Sequence, residues 1–420
     1  MTERYVLRPV TPEEFGAFGE ILSQAFNESP WPAEAIEQER TVFEFDRSLA
    51  AFDGDAIIGT AGAYSFQLTT PGGVVGAAGV SFVSVLPSHR RRGIMSAMMR
   101  DQLADVAARG EPVAALFASE SAIYGRYGYG CASGQLSLTI RRGEGALTPA
   151  TAGGARAGGL VRLRAAPPTD LRTELVKVYD AAAPHRPGMM ARNERWWQDV
   201  LADLEFFRRG MSPLKCLLAE DDLAPRGYAL YRTKAGWDDD GLPFGSLSVH
   251  ELIAVDGEAT AALWTDLLTR DLIGEVVARH RPVDDPLLAM LADRRRARAC
   301  LTDGLWIRLT DVPAALRQRR YSCAANVVIE VSDDLLPANA GRWRLQCPGP
   351  PDGGEASCER TTAAADIVLP VAVLGAGYLG GTRLGALASA GLITEHKHGT
   401  LARLSAAMYS DPAPWCPSMF

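Results

Sequence analysis

No stretch of the 420-residue chain stays apolar for long enough to cross a bilayer. The opening Met1-Thr2-Glu3-Arg4 also lacks the apolar run of a secretory signal, so a soluble protein of the cytoplasm is expected. Cysteine is sparse. Cys131, Cys216, Cys300, Cys323, Cys347, Cys358 and Cys416 are odd in number, and none stands in a CxxC pair or at a Cys/His spacing that suits zinc. No structural metal is expected, and buried thiols in a reducing cytosol are the plain reading. Positive charge is not in excess either. With 43 Lys and Arg against 50 Asp and Glu, the net charge of −7 argues against a general nucleic-acid binder, which needs a basic face to neutralise phosphates. The acidity suits a cationic substrate but decides little.

What is present is the composition of a globular protein, 47% hydrophobic and 22% charged, in a chain too long for one core. Two or three domains are expected. The first segment reads as an α/β unit. A short strand over 5–8 precedes a helix start where Thr11 can cap, Pro12 takes the first position and Glu14 completes a capping box. Strands over 48–52 and 56–66 meet at Asp53-Gly54, a favoured hairpin turn. Pro71-Gly72-Gly73 marks another turn before a strand over 79–86. A helix over about 93–108, ending at Gly110, carries Met95, Met98, Met99, Leu103 and Val106 on one face, a core stripe more than a ligand set. Residues 113–117 suit a buried parallel strand, and a helical turn begins at Ile123.

Residues 143–159, rich in Gly, Ala, Thr and Pro, read as a linker or long surface loop. The middle segment repeats the grammar loosely, with strands over 217–220, 227–232 and 248–255 and a helix over 259–272. Nothing between Val255 and Ala259 resembles an arginine–glycine loop, so a degenerate second copy is expected. From Trp306 the pattern changes to strands over 307–309, 327–331, 343–347 and 364–369. Helices are expected over 312–320, 371–379 and 383–390, with a Pro/Gly-rich turn over 346–359.

The chemistry is carried by Val83-Ser84-Val85-Leu86-Pro87-Ser88-His89-Arg90-Arg91-Arg92-Gly93-Ile94-Met95-Ser96. A strand ends at Pro87, three arginines follow, and a glycine opens a helix. Free amides at a helix start, with the positive end of its dipole, make a pyrophosphate site. Gly93 lets the backbone approach phosphates with no Cβ in the way. The strand edge at 83–85 can pair with an amide-bearing arm, as in strand addition. Three arginines alone would be a solvated helix start; strand, proline and glycine in this order favour the cofactor reading. His89 reads as a loop residue and not as a base. Glu395-His396-Lys397-His398 invites a metal or relay reading, but on an exposed strand such alternation is more often a solvated face.

This stretch resembles motif A of the GCN5-related N-acetyltransferase (GNAT) superfamily, written (Gln/Arg)-x-x-Gly-x-(Gly/Ala). Arg90, Arg91, Arg92 and Gly93 match; Met95 stands where Gly or Ala is usual, a departure typical of the Eis (enhanced intracellular survival) branch. Ala118-Ser119-Glu120-Ser121-Ala122-Ile123-Tyr124-Gly125-Arg126-Tyr127-Gly128-Tyr129-Gly130 is similar to that branch's Ser-Glu-x-x-Ile-Tyr-Gly-Arg-Phe-Gly-Tyr-Gly. The resemblance covers the whole chain. It implies tandem acetyltransferase folds of α/β (α+β) class, the second degenerate, followed by a sterol-carrier-protein-like α/β domain. Asn339-Ala340-Gly341-Arg342-Trp343 and Leu379-Gly380-Gly381 suggest the last. The expected limits are 1–145 for the catalytic domain binding acetyl-CoA, 146–300 for the degenerate copy and 301–420 for the last domain.

The resemblance further implies acetyl transfer from acetyl-CoA to primary amines of cationic small molecules, aminoglycoside-like and at several positions, without a metal. Tyr124 is implied as the general acid; a phenol with a reference pKa of about 10 is protonated at neutral pH. The residues alone do not choose among Tyr124, Tyr127 and Tyr129. The general base is implied to be the chain's own terminal carboxylate, on Phe420. Its ring offers an anchor, and Pro412, Pro414 and Pro417 would stiffen the tail. A chain end ordinarily frays, but Trp415, Cys416, Met419 and Phe420 argue against it here. Contacts to acetyl-CoA are implied for Val83, Ser84, Val85, Arg91, Arg92, Gly93, Ile94, Met95, Ser96, Ser119 and Glu120, and a homo-hexamer is implied for the assembly. Phe82, on the strand's other face, is a candidate acceptor-site residue with Trp31 and Glu28. Acetylation of protein lysine or a polyamine is a second enzymatic reading. A lipid or sterol carrier is a reading of another class, which would need an apolar surplus that the last third does not show. No nucleic-acid or membrane partner is expected.

Overall fold

The computed structural model describes residues 5–149, 161–350 and 354–420. Residues 1–4, the 150–159 part of the expected linker and 351–353 of the expected turn region lie outside the described residues. The chain forms two compact units. One comprises Met1–Ser133, Asp303–Pro414 and Ser418–Phe420; the other comprises Gly134–Thr302 and Trp415–Pro417.

In the first unit, Val6–Arg8 (β1), Leu49–Asp53 (β2), Ala56–Thr70 (β3), Gly73–Val85 (β4), Val113–Phe117 (β5) and Gly130–Cys131 (β6) belong to one sheet. The order is β1-β2-β3-β4-β5, then the strand Leu305–Leu309, then β6. β4 and β5 are parallel. The other neighbours are antiparallel. The capping box forms, with Thr11 N donating to Glu14 Oε2 at 2.9 Å, and a single tight turn, Pro12–Glu14, leads into Phe15–Phe26 (α1). α1 buries Phe15 and Phe18 against Phe43, at ring distances of 4.5 and 5.4 Å. Ala33–Arg40 (α2) follows, and later Ile94–Ala108 (α3), which buries Met98, Met99, Leu103 and Val106 as its apolar stripe requires.

Two features depart from the sequence reading. β4 begins at Gly73, earlier than the expected 79, because its hairpin with β3 continues down to Thr70↔Gly73. Its Gly and Ala residues carry little strand preference, yet here they pair with β3 throughout and, from Ala77 to Gly79, with β5 as well. The strand Leu305–Leu309, read as part of the last segment, pairs along the whole of β5, from Leu305↔Phe117 to Leu309↔Val113.

A second sheet in this unit runs Ser357–Arg360, Gly341–Cys347, Ala325–Ser332, Ile367–Pro370, Thr394–Glu395. The helices Val371–Tyr378, Leu384–Ser389 and Thr400–Met408 accompany it. The last of these was not expected, and the expected strand over Glu395–His398 shrinks to Thr394–Glu395, with its two histidines exposed in the turn that follows.

The other unit is built on one sheet, in the order Cys300–Asp303, Gly134–Arg141, Ile273–Pro282, Gly245–Ala254, Pro225–Lys234, Lys215–Glu220, Arg162–Ala166. The helix Gly257–Thr269 packs Leu263, Trp264 and Leu267 into its core. Asp256 caps that helix, its carboxylate accepting from Ala259 N at 2.9 Å. A capping aspartate therefore stands where the first unit has its glycine, and no arginine loop precedes it.

Candidate active site

β4 and β5 hydrogen-bond only from Ala77↔Val113 to Gly79↔Ala115 and then part. The cause is local. Thr60 faces Ser84 while Gly62 faces Ser81, so β4 carries one extra residue, and Phe82 takes a left-handed φ of 58°. Such a bulge bends the strand and strengthens its twist. Thr60 fixes it, donating to the Phe82 carbonyl at 2.7 Å, with Ser84 Oγ 2.6 Å away.

Beyond the bulge, Val83, Ser84 and Val85 form one wall of a cleft of about 500 Å³. The opposite walls are the first turn of α3 and the segment Ser119-Glu120 leading into Ser121–Tyr124 (α4). Arg91 and Gly93 both take left-handed backbone, at φ of 63° and 81°. The first bond of α3 runs from Ala97 N to the Gly93 carbonyl at 3.0 Å. The amides just before Ala97 thus have no carbonyl within the helix. A Cβ built on Gly93 would meet nothing within 4 Å, so the cradle in front of those amides is open. With Arg91 in the lining and exposed Arg92 next to it in the chain, this arrangement fits a pyrophosphate.

Arg90 lines the same cleft, but its guanidinium binds main chain, donating to Val85 O at 3.2 Å and to Ala25 O at 3.1 Å. It ties the end of α1 to the end of β4. His89 also lines the cleft, with Nδ1 2.9 Å from Ser88 Oγ and Nε2 3.9 Å from the Asp53 carboxylate. Neither was singled out for the cofactor from sequence, and Arg126, which lines the cleft from the far side, was also missed. Its signal was adjacency to Tyr124 in a motif already in view.

The three tyrosines separate in the structure. Tyr127 Oη lies 3.0 Å from Ser96 Oγ. Tyr129 is enclosed and does not line the cleft. Tyr124 lines the cleft with only 5% of its surface exposed. Burial pushes its phenol above the ordinary value, opposed by a hydrogen bond with Ser119.

On the other face of β4, the Phe82 ring packs 5.8 Å from Phe18, 5.5 Å from Phe43 and 5.7 Å from Tyr64. Tyr64 donates to Glu39 Oε1 at 2.5 Å, placing a carboxylate beside this aromatic cluster. Trp31 lies over Gly19, while Glu28 is exposed. Phe82, Trp31, Glu28 and Arg92 do not line the cleft itself. Phe420 does not line the cleft either: its ring lies 5.0 Å from that of Phe66 on β3 and 5.4 Å from that of Phe117 at the end of β5. No cluster of His, Cys, Asp or Glu able to hold a metal occurs among the described residues, and no helix there is long and apolar enough to cross a membrane.

Comparison with known proteins agrees with this architecture. Residues 6–132 match an acetyltransferase (GNAT) domain, 188–309 a second acetyltransferase (GNAT) domain, and 312–417 a sterol carrier protein domain. An uncharacterized N-acetyltransferase of Streptomyces coelicolor is 43% identical over 98% of this chain and 99% of its own. The N-acetyltransferase Eis of Mycobacterium tuberculosis is 37% identical over 89% of each chain. The crystal structure of Eis1 from Mycobacterium abscessus superposes with a TM-score of 0.81 at 33% identity, over 99% of this chain and 100% of that one. GNAT acetyltransferases use acetyl-CoA as co-substrate, which the open helix start and the splayed strand suit. The chain belongs to the Eis family of GCN5-related N-acetyltransferases.

Proposed function

We propose that this acetyltransferase moves the acetyl group of acetyl-CoA directly to primary amines of cationic small molecules, aminoglycoside-like and at more than one position. Bound acetyl-CoA supplies the activated acyl thioester. Val83, Ser84 and Val85 hold its pantetheine arm through the strand edge, and Arg91, Arg92 and Gly93 through Ser96 hold the pyrophosphate, with Ser119 and Glu120 closing the cleft. Tyr124 gives its hydroxyl proton to the departing sulfur, and the Phe420 carboxylate takes a proton from the incoming amine. Phe82, Trp31 and Glu28 belong to the acceptor side, and six copies form the assembly.

The observation that carries this reading is the seating of the Phe420 ring between Phe66 and Phe117. A chain end held this way is available to a reaction; a frayed one is not. The test is an addition of two glycines after Phe420, with thiol release measured over a panel of amines. Turnover falls to background while acetyl-CoA still binds. Full activity in the extended protein removes the terminal carboxylate from the mechanism, and silence of the native protein with every aminoglycoside removes the substrate class. Light scattering of the native protein tests the six-copy assembly.

A further inference from the structure

Arg308 lies in the strand Leu305–Leu309, next to β6, and is entirely buried. Its guanidinium donates to Asp333 Oδ1 at 2.7 Å and to Leu309 O at 3.1 Å. Asp333 is held in turn: it accepts from Leu335 N and Leu336 N at 3.1 Å each, and from Asn339 Nδ2 at 3.1 Å. Asn339 also accepts from Val312 N at 2.9 Å and donates to the carbonyls of Leu309 and Thr310. The guanidinium therefore sits at the centre of a rigid polar network.

The guanidinium faces the Gly128-Tyr129-Gly130 stretch that follows Tyr124. A Cβ on Gly128 would fall 2.8 Å from both Cζ and Nε of Arg308, and the residue has a φ of 81°. Only glycine permits both the close approach and the left-handed turn. A Cβ on Gly130 would fall 1.9 Å from Ala372 O and 2.5 Å from Ala376 N, so the helix Val371–Tyr378 lies directly on that residue. Between the two glycines stands Tyr129, its ring 6.0 Å from that of Tyr124 and edge-on to it. The Tyr129 hydroxyl and Arg308 Nε are both buried without a hydrogen-bond partner among the described residues. Two such buried groups are a cost that a purely structural contact would shed.

We infer that Arg308 is a positioning residue for the acetyl-transfer step: it braces Gly128 and Tyr129, and through the Tyr129 ring it sets where the Tyr124 hydroxyl points. The inference rests on Tyr124 being the general acid. It explains why the motif continues to Gly130 when the cleft needs nothing beyond Tyr127. The strand that carries Arg308 comes from the far half of the sequence, so the acid is aligned only when that half is in place.

The test is a double-mutant cycle on the full chain, with steady-state kinetics for acetyl-CoA and for the amine. Arg308→Met removes the charge and keeps the length. Should it not fold, Arg308→Met with Asp333→Asn removes both buried charges and keeps an acceptor for Leu335 N and Leu336 N. The expected result is a kcat lowered tenfold or more with both KM values within twofold, and less than a twofold further loss when Tyr124→Phe is already present. Equal losses in the two backgrounds, a loss confined to KM, or no loss at all overturns the positioning role. If Tyr124→Phe alone keeps full turnover, the acid assignment fails instead, and that result is read from the single variant without reference to Arg308.

Discussion

The ring of Phe420 meets the ring of Phe66 at 5.0 Å, beside the last residue of β4 that still pairs with β5, Gly79. A Cβ at Gly79 would fall 2.2 Å from Phe66 Cε2 and 3.1 Å from Phe420 Cε2. Gly79→Val therefore displaces both rings. Misplacing a reacting group by 1 Å can cost about 100-fold in rate. We expect kcat to fall by about 30- to 100-fold, with the dissociation constant for acetyl-CoA within threefold of the native value, since the cleft wall at 83–85 is untouched. Equilibrium dialysis together with thiol release reads both; an unchanged kcat dissociates the Phe420 seat from catalysis.

Tyr124 makes a prediction about pH. Burial raises its phenol above the usual value near 10. A raised value keeps the proton on the hydroxyl, so the acid form persists through pH 10 and is lost only above it. The kcat profile at saturating amine should show no alkaline limb from Tyr124 below pH 10, and Tyr124→Phe should lower kcat by about 100-fold at every pH from 7 to 9. A limb with a midpoint below pH 9 that vanishes in Tyr124→Phe contradicts the assignment.

The cofactor loop was legible because each of its parts has a local cause. Pro87 stops a strand, and Gly93 supplies a left-handed residue at a helix start. The extent of β4 was not legible: between Gly73 and Gly79 only Val74 and Val75 favour a strand, the rest being Gly and Ala, and the long hairpin with β3 holds the segment flat. Arg308 was illegible for a stronger reason. Its partners Asp333 and Gly128 are remote from it in sequence, and an arginine in a short strand reads as a solvated residue until the fold buries it. The same holds for Phe420, whose neighbours Phe66 and Phe117 come from two different strands. The resemblance, and not the spacing, pointed to it.

Gly93 isolates the cost of backbone geometry. Its φ is 81° and a Cβ there would touch nothing within 4 Å, so Gly93→Ala brings strain without a clash. Left-handed backbone costs a non-glycine residue about 1–2 kcal/mol. If that strain is relieved by turning the first amides of α3 away, KM for acetyl-CoA rises by about 5- to 30-fold, while kcat at saturation changes less than twofold. A fall in kcat with an unchanged KM would mean that the loop acts on the chemical step and not on binding.

Arg319 bears on the carrier reading. It is fully buried in the last domain, donating to the carbonyls of Met408 at 2.7 Å, Arg320 at 3.2 Å and Tyr378. The rings of Tyr321 and Tyr378 lie 4.9 and 5.9 Å from the guanidinium. Burial pulls its pKa down from the ordinary value, and the charge is stabilised by carbonyl oxygens and phenol rings. A carrier needs a long apolar cavity; a charge and two phenols occupy the interior here. The purified protein should therefore release no stoichiometric lipid or sterol on solvent extraction, as read by mass spectrometry. Arg319→Leu leaves those carbonyls unpaired at a cost of about 2–4 kcal/mol, lowering the thermal midpoint by about 5–10 °C. Acetyl-CoA affinity should be unchanged in that variant at 25 °C. A stoichiometric lipid in the native protein would reopen the carrier function, whatever the variant does.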